Sequence, residues 1–94
     1  MNALEQISDQ QKQSWDKFSS GWKKWDKWTM KFLKPMGDEI ISQLKIKETD
    51  KVLDLATGTG EPGQTIAKQR PKAQVTGCDV SEGMLAIARE NASL

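Results

Sequence analysis

A glycine-rich segment, GTGEPG at residues 58–63, lies between a predicted strand and a predicted helix. Residues 51–56 form the strand and are apolar on both faces, as in a covered parallel sheet. Residues 61–70 form the helix, with Pro62 in its first turn and Pro71 just past its end. Glycines at this spacing permit a tight turn and a close approach of a ligand to the backbone. The pattern therefore predicts a nucleotide-binding loop, with a plain tight turn as the structural alternative.

A second strand and helix follow this loop. Residues 73–79 are predicted as a strand, with β-branched Val75 and Thr76 at its centre. Ser81 suits the N-cap of a final helix. The buried stripe of that helix is predicted to be Met84, Leu85, Ile87 and Ala88. Strand, helix, strand and helix with short links predict a right-handed parallel βαβ unit and an α/β fold class.

Two aspartates flank the loop. Asp54, inside the first strand, would oppose a bound pyrophosphate and would favour a ligand with a positive group, such as the ammonium of a methionine moiety. Asp79, at the end of the second strand, can accept both hydroxyls of a ribose. The structural alternatives are a turn or capping role for Asp54 and an N-cap role for Asp79, which Ser81 fills better. The pair matches S-adenosylmethionine (AdoMet), which has an amino acid at one end and a ribose at the other.

Residues 52–63, VLDLATGTGEPG, resemble motif I of the class I AdoMet-dependent methyltransferases, and residues 75–85, VTGCDVSEGML, resemble the family's next motif. The similarity is greatest to the branch of the ubiquinone/menaquinone biosynthesis C-methyltransferases. It covers residues 50–92 well and the N-terminal part loosely. It implies AdoMet as cofactor, a small-molecule methyl acceptor and a Rossmann-like sheet.

The resemblance also implies which residues bind AdoMet. They are Asp54, Ala56, Gly58, Gly60, Asp79 and Met84. Asp54 would help to hold the methionine amino group, often through water, Asp79 would bind the ribose hydroxyls, and Met84 would lie near the adenine. The other three would line the methionine portion. Ala56 departs from the glycine that many class I enzymes have at this point, but its side chain is small.

The N-terminal part, residues 1–46, is predicted to be a Trp-rich helical cap, with the AdoMet-binding part over residues 47–94. Three helices are expected, over residues 8–19, 22–33 and 35–44. Ser8 and Gln11 have capping-box spacing at the start of the first. Three weak helix residues, 19–21, separate the first two helices, and Pro35 is expected to end the second.

Aromatic residues recur every three or four positions in this part, at Trp15, Phe18, Trp22, Trp25, Trp28 and Phe32. One interpretation is a packing face that covers the sheet or the site. A second is a cap that shapes an apolar substrate pocket, to which Trp15, Phe18 and Trp22 would contribute. A third is contact with an anionic membrane, because residues 15–34 hold six lysines and two aspartates. Since lysine-rich faces are usually only solvated, we do not expect membrane contact.

Composition excludes several functions. The chain has no histidine, so it can hold no histidine-based triad, metal site or general base, and no metal is expected. Its single cysteine, Cys78, allows no internal disulfide, which favours a cytoplasmic setting. A net charge of +1 does not indicate nucleic acid. No catalytic residue can be named.

The expected fold is N-terminal helices plus the first βαβα unit of a Rossmann-like methyltransferase sheet, which is incomplete. The family's sheet has seven strands, and two are predicted here. We therefore expect an N-terminal fragment that is inactive alone, binds AdoMet weakly and is marginally stable or self-associates. Two rival functions are a non-catalytic interaction module and a fragment of an NAD(P)-binding Rossmann oxidoreductase.

Overall fold

The structure, a computed structural model, describes residues 2–94 and has one long helix, two strands and two short helices. Their bounds are α1 Ala3–Leu44, β1 Lys51–Leu55, α2 Gly63–Gln69, β2 Gln74–Cys78 and α3 Glu82–Ala92. The two strands pair in parallel, with Leu55 opposite Cys78 at their carboxyl ends. The predicted α/β class and βαβα order are confirmed. Because both strands end at one edge, the glycine loop after β1 meets Asp79 after β2.

The prediction of three N-terminal helices is wrong, because α1 is continuous over 42 residues. Asn2 and Glu5 form its capping box: the Glu5 N–H donates to Asn2 Oδ1 at 2.8 Å. Ser8 therefore lies inside the helix and does not cap it. Residues 19–21 do not break α1, since weak helix residues each cost only about 1 kcal/mol or less.

Pro35 also lies inside α1 and does not end it. A proline inside a helix costs about 3 kcal/mol, so other contacts must offset it. Lys34 and Asp38 flank this proline and form an i, i+4 ion pair at 2.7 Å. Within residues 2–94, no helix combines the length and the apolar character needed to cross a bilayer.

The apolar core is small and is formed by residues of α2 and α3. Ile66 of α2 and Met84 and Ile87 of α3 are its buried apolar side chains among the described residues. Ser81 caps α3 as predicted, with the Met84 N–H donating to Ser81 Oγ at 3.1 Å. The other face of β1 is open, and Leu55 is 71% exposed. The expectation that β1 is covered on both faces is therefore not met within the described residues.

Helix α1 is held against the start of α3 by Asp16. Oδ1 of Asp16 accepts hydrogen bonds from the Ser81 hydroxyl and from the Gly83 N–H, the latter at 3.1 Å. Its Oδ2 accepts from Lys12 Nζ at 2.9 Å. The close approach depends on Gly83, because a Cβ there would lie 2.6 Å from Ser19 Oγ. A carboxylate at this point also interacts favourably with the N-terminal dipole of α3.

A second tether joins α1, α3 and the glycine loop. Nδ2 of Asn91 in α3 donates both to Oδ2 of Asp26 in α1, at 3.1 Å, and to the Thr59 carbonyl oxygen in the loop, at 2.9 Å. Oδ1 of Asp26 is buried without a partner in the described part of the chain, which offsets part of this stabilisation. The tether places α1 over the loop.

Acid is expected to loosen the docking of α1. The Ser81 hydroxyl, then Lys12 and the Gly83 N–H, lower the pKa of Asp16 from 3.8 to about 2. A carboxylate with a lowered folded-state pKa stabilises the fold above pH 3.8, and this stabilisation is lost as the pH falls towards 2. The stability advantage of the parent chain over Asp16→Asn should therefore shrink across this pH window. Urea titrations at several pH values measure it.

The control for this experiment is Asp9→Asn, which removes a carboxylate of α1 that accepts from Gln13 within the same helix. Its stability difference from the parent chain should change less than that of Asp16→Asn over the same window. A pH-independent difference for Asp16→Asn would contradict the assigned docking role.

Candidate functional site

A cavity of about 570 Å³ opens at the carboxyl ends of the two strands. Ala56 and Gly58 of the glycine loop and Asp79 after β2 line one side, and Trp15 and Trp22 of α1 line the other. The two indole rings lie 5.9 Å apart between centroids. The volume falls within the range of small-molecule and cofactor sites, which are usually concave and largely apolar.

The glycine loop owes its shape to three residues with positive φ. These angles are 56° at Ala56, 59° at Gly58 and 112° at Gly60. Glycine adopts such angles without steric cost, whereas an alanine in the left-handed region costs about 1 kcal/mol. Ala56 thus stores strain at the position where the resembled family often has glycine. A Cβ at Gly58 would lie 3.5 Å from Cε of Met84, so the loop lies directly against α3.

Asp54 lies beneath the loop and does not line the cavity. Its Oδ2 accepts from the Thr57 hydroxyl at 2.7 Å and from the Gly63 N–H at 3.0 Å. A Cβ at Gly63 would approach this oxygen to 2.8 Å. Asp54 therefore fastens both ends of the loop, which is the capping role considered as its alternative. Its predicted contact with the methionine amino group stays a prediction.

Asp79 lines the cavity and fixes the loop at the same time. Its Oδ2 accepts from the Gly58 N–H at 2.9 Å, and its Oδ1 accepts from the Ser81 N–H at 3.0 Å. The hydroxyl of Ser81, and not Asp79, caps α3. A carboxylate offers about four acceptor positions, so both oxygens of Asp79 keep capacity for hydroxyl donors. The geometry is therefore compatible with the predicted ribose contact.

Glu61 also lines the cavity, and the sequence reasoning missed it. Its Oε2 accepts from the Thr65 hydroxyl at 2.6 Å and from the Thr65 N–H at 3.3 Å. An acidic residue in the first turn of the predicted helix is the signal that could have identified it, since helix starts favour acidic side chains. Glu61 thus places a second carboxylate beside Asp79 at the cavity.

These carboxylates occupy backbone donors that could otherwise bind a phosphate. Asp79 takes the Gly58 N–H, and Asp54 takes the N–H of Gly63 at the start of α2. Phosphate groups in nucleotide-binding loops need such free N–H groups at a helix N-terminus. Among the described residues that line the cavity, Glu61 and Asp79 are acidic and none is lysine or arginine. The cavity therefore favours a positively charged ligand over an anionic one.

The structure brings most of the predicted site residues together. Those that line the cavity are Ala56, Gly58, Asp79, Met84, Trp15 and Trp22. Gly60 instead faces Gln64, and the side chain of Phe18 is 59% exposed. Met30 also lines the cavity. The sequence did not predict it, because the predicted cap was based on aromatic residues alone. The position of Met30, eight residues after Trp22, continues the inward face of α1.

Metal ligands are not grouped in the described part of the chain. Within residues 2–94, no three His, Cys, Asp or Glu side chains come together in a way that could hold a metal ion.

Comparison with known proteins shows which proteins residues 52–94 resemble. Residues 52–94 match the methyltransferase domain model. A demethylmenaquinone methyltransferase of Chlorobaculum tepidum is 52% identical over 48 residues, 51% of this chain and 19% of that protein. A trans-aconitate 2-methyltransferase of Variovorax paradoxus is 40% identical over 52 residues, 55% of this chain and 20% of that protein.

A release factor glutamine methyltransferase of Deinococcus radiodurans is 41% identical over 54 residues, 57% of this chain and 19% of that protein. No solved structure matched the chain. The chain spans about a fifth of the length of the curated relatives it matches. The matched segment contains β1, the glycine loop and Asp79, the features that build the cavity. Residues 52–94 are therefore similar to a methyltransferase domain, and the matched relatives support a class I S-adenosylmethionine-dependent methyltransferase.

Proposed function

We propose that the cavity binds AdoMet and that the whole protein transfers its methyl group to a small molecule. The observation that carries this proposal is the charge of the cavity, in which the charged lining side chains are the carboxylates of Glu61 and Asp79. AdoMet has a sulfonium, an ammonium and one carboxylate, so it carries a net positive charge. A cavity with two carboxylates stabilises such a ligand electrostatically.

The six residues predicted to bind AdoMet have different roles in this proposal. Asp79 accepts hydrogen bonds from the ribose hydroxyls while it keeps its hydrogen bond from the Gly58 N–H. Met84 contacts the adenine. Ala56 and Gly58 lie along the methionine portion. Gly60 and Asp54 act through the loop, Gly60 by its backbone angle and Asp54 by its bonds to both loop ends. The loop is thereby held in one shape before the ligand arrives, which lowers the cost of binding.

AdoMet supplies an activated methyl group, because its sulfonium leaves as a neutral sulfide when a nucleophile displaces it. The described residues position the cofactor and keep water away from it. Trp15 and Trp22 cover the cavity on the α1 side and provide this exclusion of water. No general base is assigned to any residue of this chain.

The occupied backbone donors argue against the oxidoreductase alternative. A dinucleotide would need the N–H groups of Gly58 and Gly63 for its pyrophosphate, and both already donate to aspartates. We further propose that these 94 residues alone bind AdoMet weakly and do not turn over, because they span about a fifth of the relatives' length. The open faces of the sheet would favour self-association of such a segment.

Glu61→Gln tests the charge argument. The variant keeps an oxygen that can accept from Thr65 but removes one negative charge from the cavity. The variant should weaken the binding of AdoMet about fivefold more than the binding of neutral S-adenosylhomocysteine, since one partly exposed carboxylate contributes roughly 1 kcal/mol. Tryptophan fluorescence reports both titrations, because Trp15 and Trp22 line the cavity.

The matched control is Glu48→Gln, which removes an exposed carboxylate in the turn before β1. It should leave the ratio of the two affinities unchanged. If Glu61→Gln also leaves that ratio unchanged, the carboxylate does not select the positive ligand and the electrostatic basis of the proposal fails.

A further inference from the structure

A second cavity, which we call the α1–α2 groove, runs between the C-terminal half of α1 and the start of α2. Its volume is about 510 Å³, and Met30, Gly37 and Ile41 of α1 and Pro62 and Thr65 of the α2 side line it. The size suits a small molecule and is far too small for a protein partner.

The two walls of the groove differ in chemistry. Helical spacing places Leu33, Met36 and Ile40 along one wall of α1. It places Lys27, Lys31 and Lys34 along the other wall. A molecule in the groove would thus meet an apolar surface on one side and ammonium groups on the other.

Two of these lysines are available to an anion. Lys34 pairs with Asp38, and Glu61 at the α2 side accepts from Thr65. Lys27 and Lys31 form no ion pair within residues 2–94. The groove therefore combines an apolar wall with three lysines against the carboxylates of Asp38 and Glu61, a net charge of +1 that complements an apolar anion.

The groove adjoins the proposed AdoMet cavity. Met30 and Glu61 line both spaces, so they form the boundary between them. A molecule bound in the groove would lie beside the cofactor cavity and on the same side of α1. This adjacency is what a methyl acceptor needs, because the reacting atoms must come within about 3–3.5 Å of each other.

We propose that the α1–α2 groove receives the methyl acceptor and that this acceptor is a small apolar or aromatic molecule carrying an anionic group. The proposal rests on the proposed function of the neighbouring cavity. The apolar body lies against Leu33, Met36 and Ile40, and the anionic group contacts the ammonium groups of Lys27 and Lys31. These two lysines set the specificity for an anionic acceptor.

The test uses two fluorescent probes with the same aromatic framework. One is 8-anilinonaphthalene-1-sulfonate, which is an anion, and the other is N-phenyl-1-naphthylamine, which lacks the sulfonate. Both are titrated into the full chain with AdoMet in excess to fill the cofactor cavity. The charge-removing pair Lys27→Gln/Lys31→Gln is compared with the pair Lys17→Gln/Lys24→Gln, which changes lysines of the same helix outside the groove.

The groove pair should weaken binding of the sulfonate probe by about five- to thirtyfold, since two exposed charges contribute roughly 0.5 to 1 kcal/mol each. The control pair should change its affinity by less than about twofold, and the neutral probe should be insensitive to both pairs. Equal losses for the two pairs, or an equal loss for the two probes, would overturn the proposal.

Two further outcomes separate this inference from the proposed function. If AdoMet binds but binding of the sulfonate probe does not depend on Lys27 and Lys31, the groove assignment falls and the cofactor site stands. If the probe binding depends on the lysines but AdoMet does not bind, the acceptor assignment falls together with the proposed function. Binding of the chain to phosphatidylglycerol vesicles that requires Lys27 and Lys31 would also overturn it, in favour of a membrane surface.

Discussion

Gly60→Ala is expected to lower the free energy of unfolding by about 2–3 kcal/mol. Gly60 has a φ of 112°, which an L side chain rarely adopts, and a Cβ there would collide with the side chain of Gln64. Nε2 of Gln64 donates to the Ala88 carbonyl oxygen at 2.7 Å, so displacing it also breaks a bond between α2 and α3. The backbone strain and the lost hydrogen bond act in the same direction.

Urea denaturation followed by circular dichroism measures this effect. The matched control is Gly21→Ala, because Gly21 lies inside α1 with nothing within 4 Å of an added Cβ. That change should raise the free energy of unfolding by about 0.5–1 kcal/mol, since alanine is the better helix former. Equal effects of the two substitutions would contradict the described conformation of the loop.

The second large effect is expected from Asp79→Asn, which should weaken AdoMet by about a hundredfold. An amide has one acceptor oxygen where the carboxylate has two, so it cannot serve the Gly58 N–H, the Ser81 N–H and both ribose hydroxyls. Charge-assisted hydrogen bonds contribute about 1.5–3 kcal/mol each, and the variant weakens two of them. Fluorescence titration of the variant measures the loss.

Asp50→Asn is the matched control for Asp79→Asn. Asp50 also accepts a backbone hydrogen bond in a turn, from the Lys47 N–H at 2.8 Å, but it does not line the cavity. AdoMet affinity should be unchanged in this variant. A comparable loss in both variants would mean that the effect arises from general destabilisation and not from the ribose contact.

The βαβα unit was predictable because its signals are local. The apolar strands, the glycines and the cap at Ser81 each act within a few residues, and the structure has the strands, the loop and the cap in the predicted order, although one face of β1 is open. Asp79 was predictable for the same reason, since the end of one strand and the start of the next helix fix its position. Local chemistry therefore accounts for one side of the cavity.

The continuity of α1 and its docking to α3 could not be predicted from such local signals. Serine, glycine and even proline impose costs of a few kcal/mol at most, and ion pairs along α1 and docking to α3 oppose them. The contacts that decide the outcome join distant residues. Asp16 reaches Ser81, and Asp26 reaches Asn91, each across about 65 positions of the chain. No periodicity in the sequence identifies such pairs.

The aromatic residues show the limit of periodicity most clearly. A repeat every three or four residues predicts that the aromatic side chains share one face of the helix. The rotation of the helix about its own axis decides which part of that face points towards the cavity. Trp15 and Trp22 line the cavity, whereas Phe32 is 84% exposed. The docking contacts of Asp16 and Asp26 set this rotation, and they lie outside the aromatic pattern.

Titration of the ¹⁵N-labelled chain with AdoMet and with NAD, followed by amide chemical shifts, tests whether the cavity at the glycine loop binds AdoMet. It detects weak binding and assigns it to residues. AdoMet should shift the amide signals of Gly58, Asp79 and Met84, which lie at the cavity, and NAD at the same concentration should leave them in place. Shifts at Gly58 and Gly63 with NAD, together with none from AdoMet, would contradict the assignment of an AdoMet site.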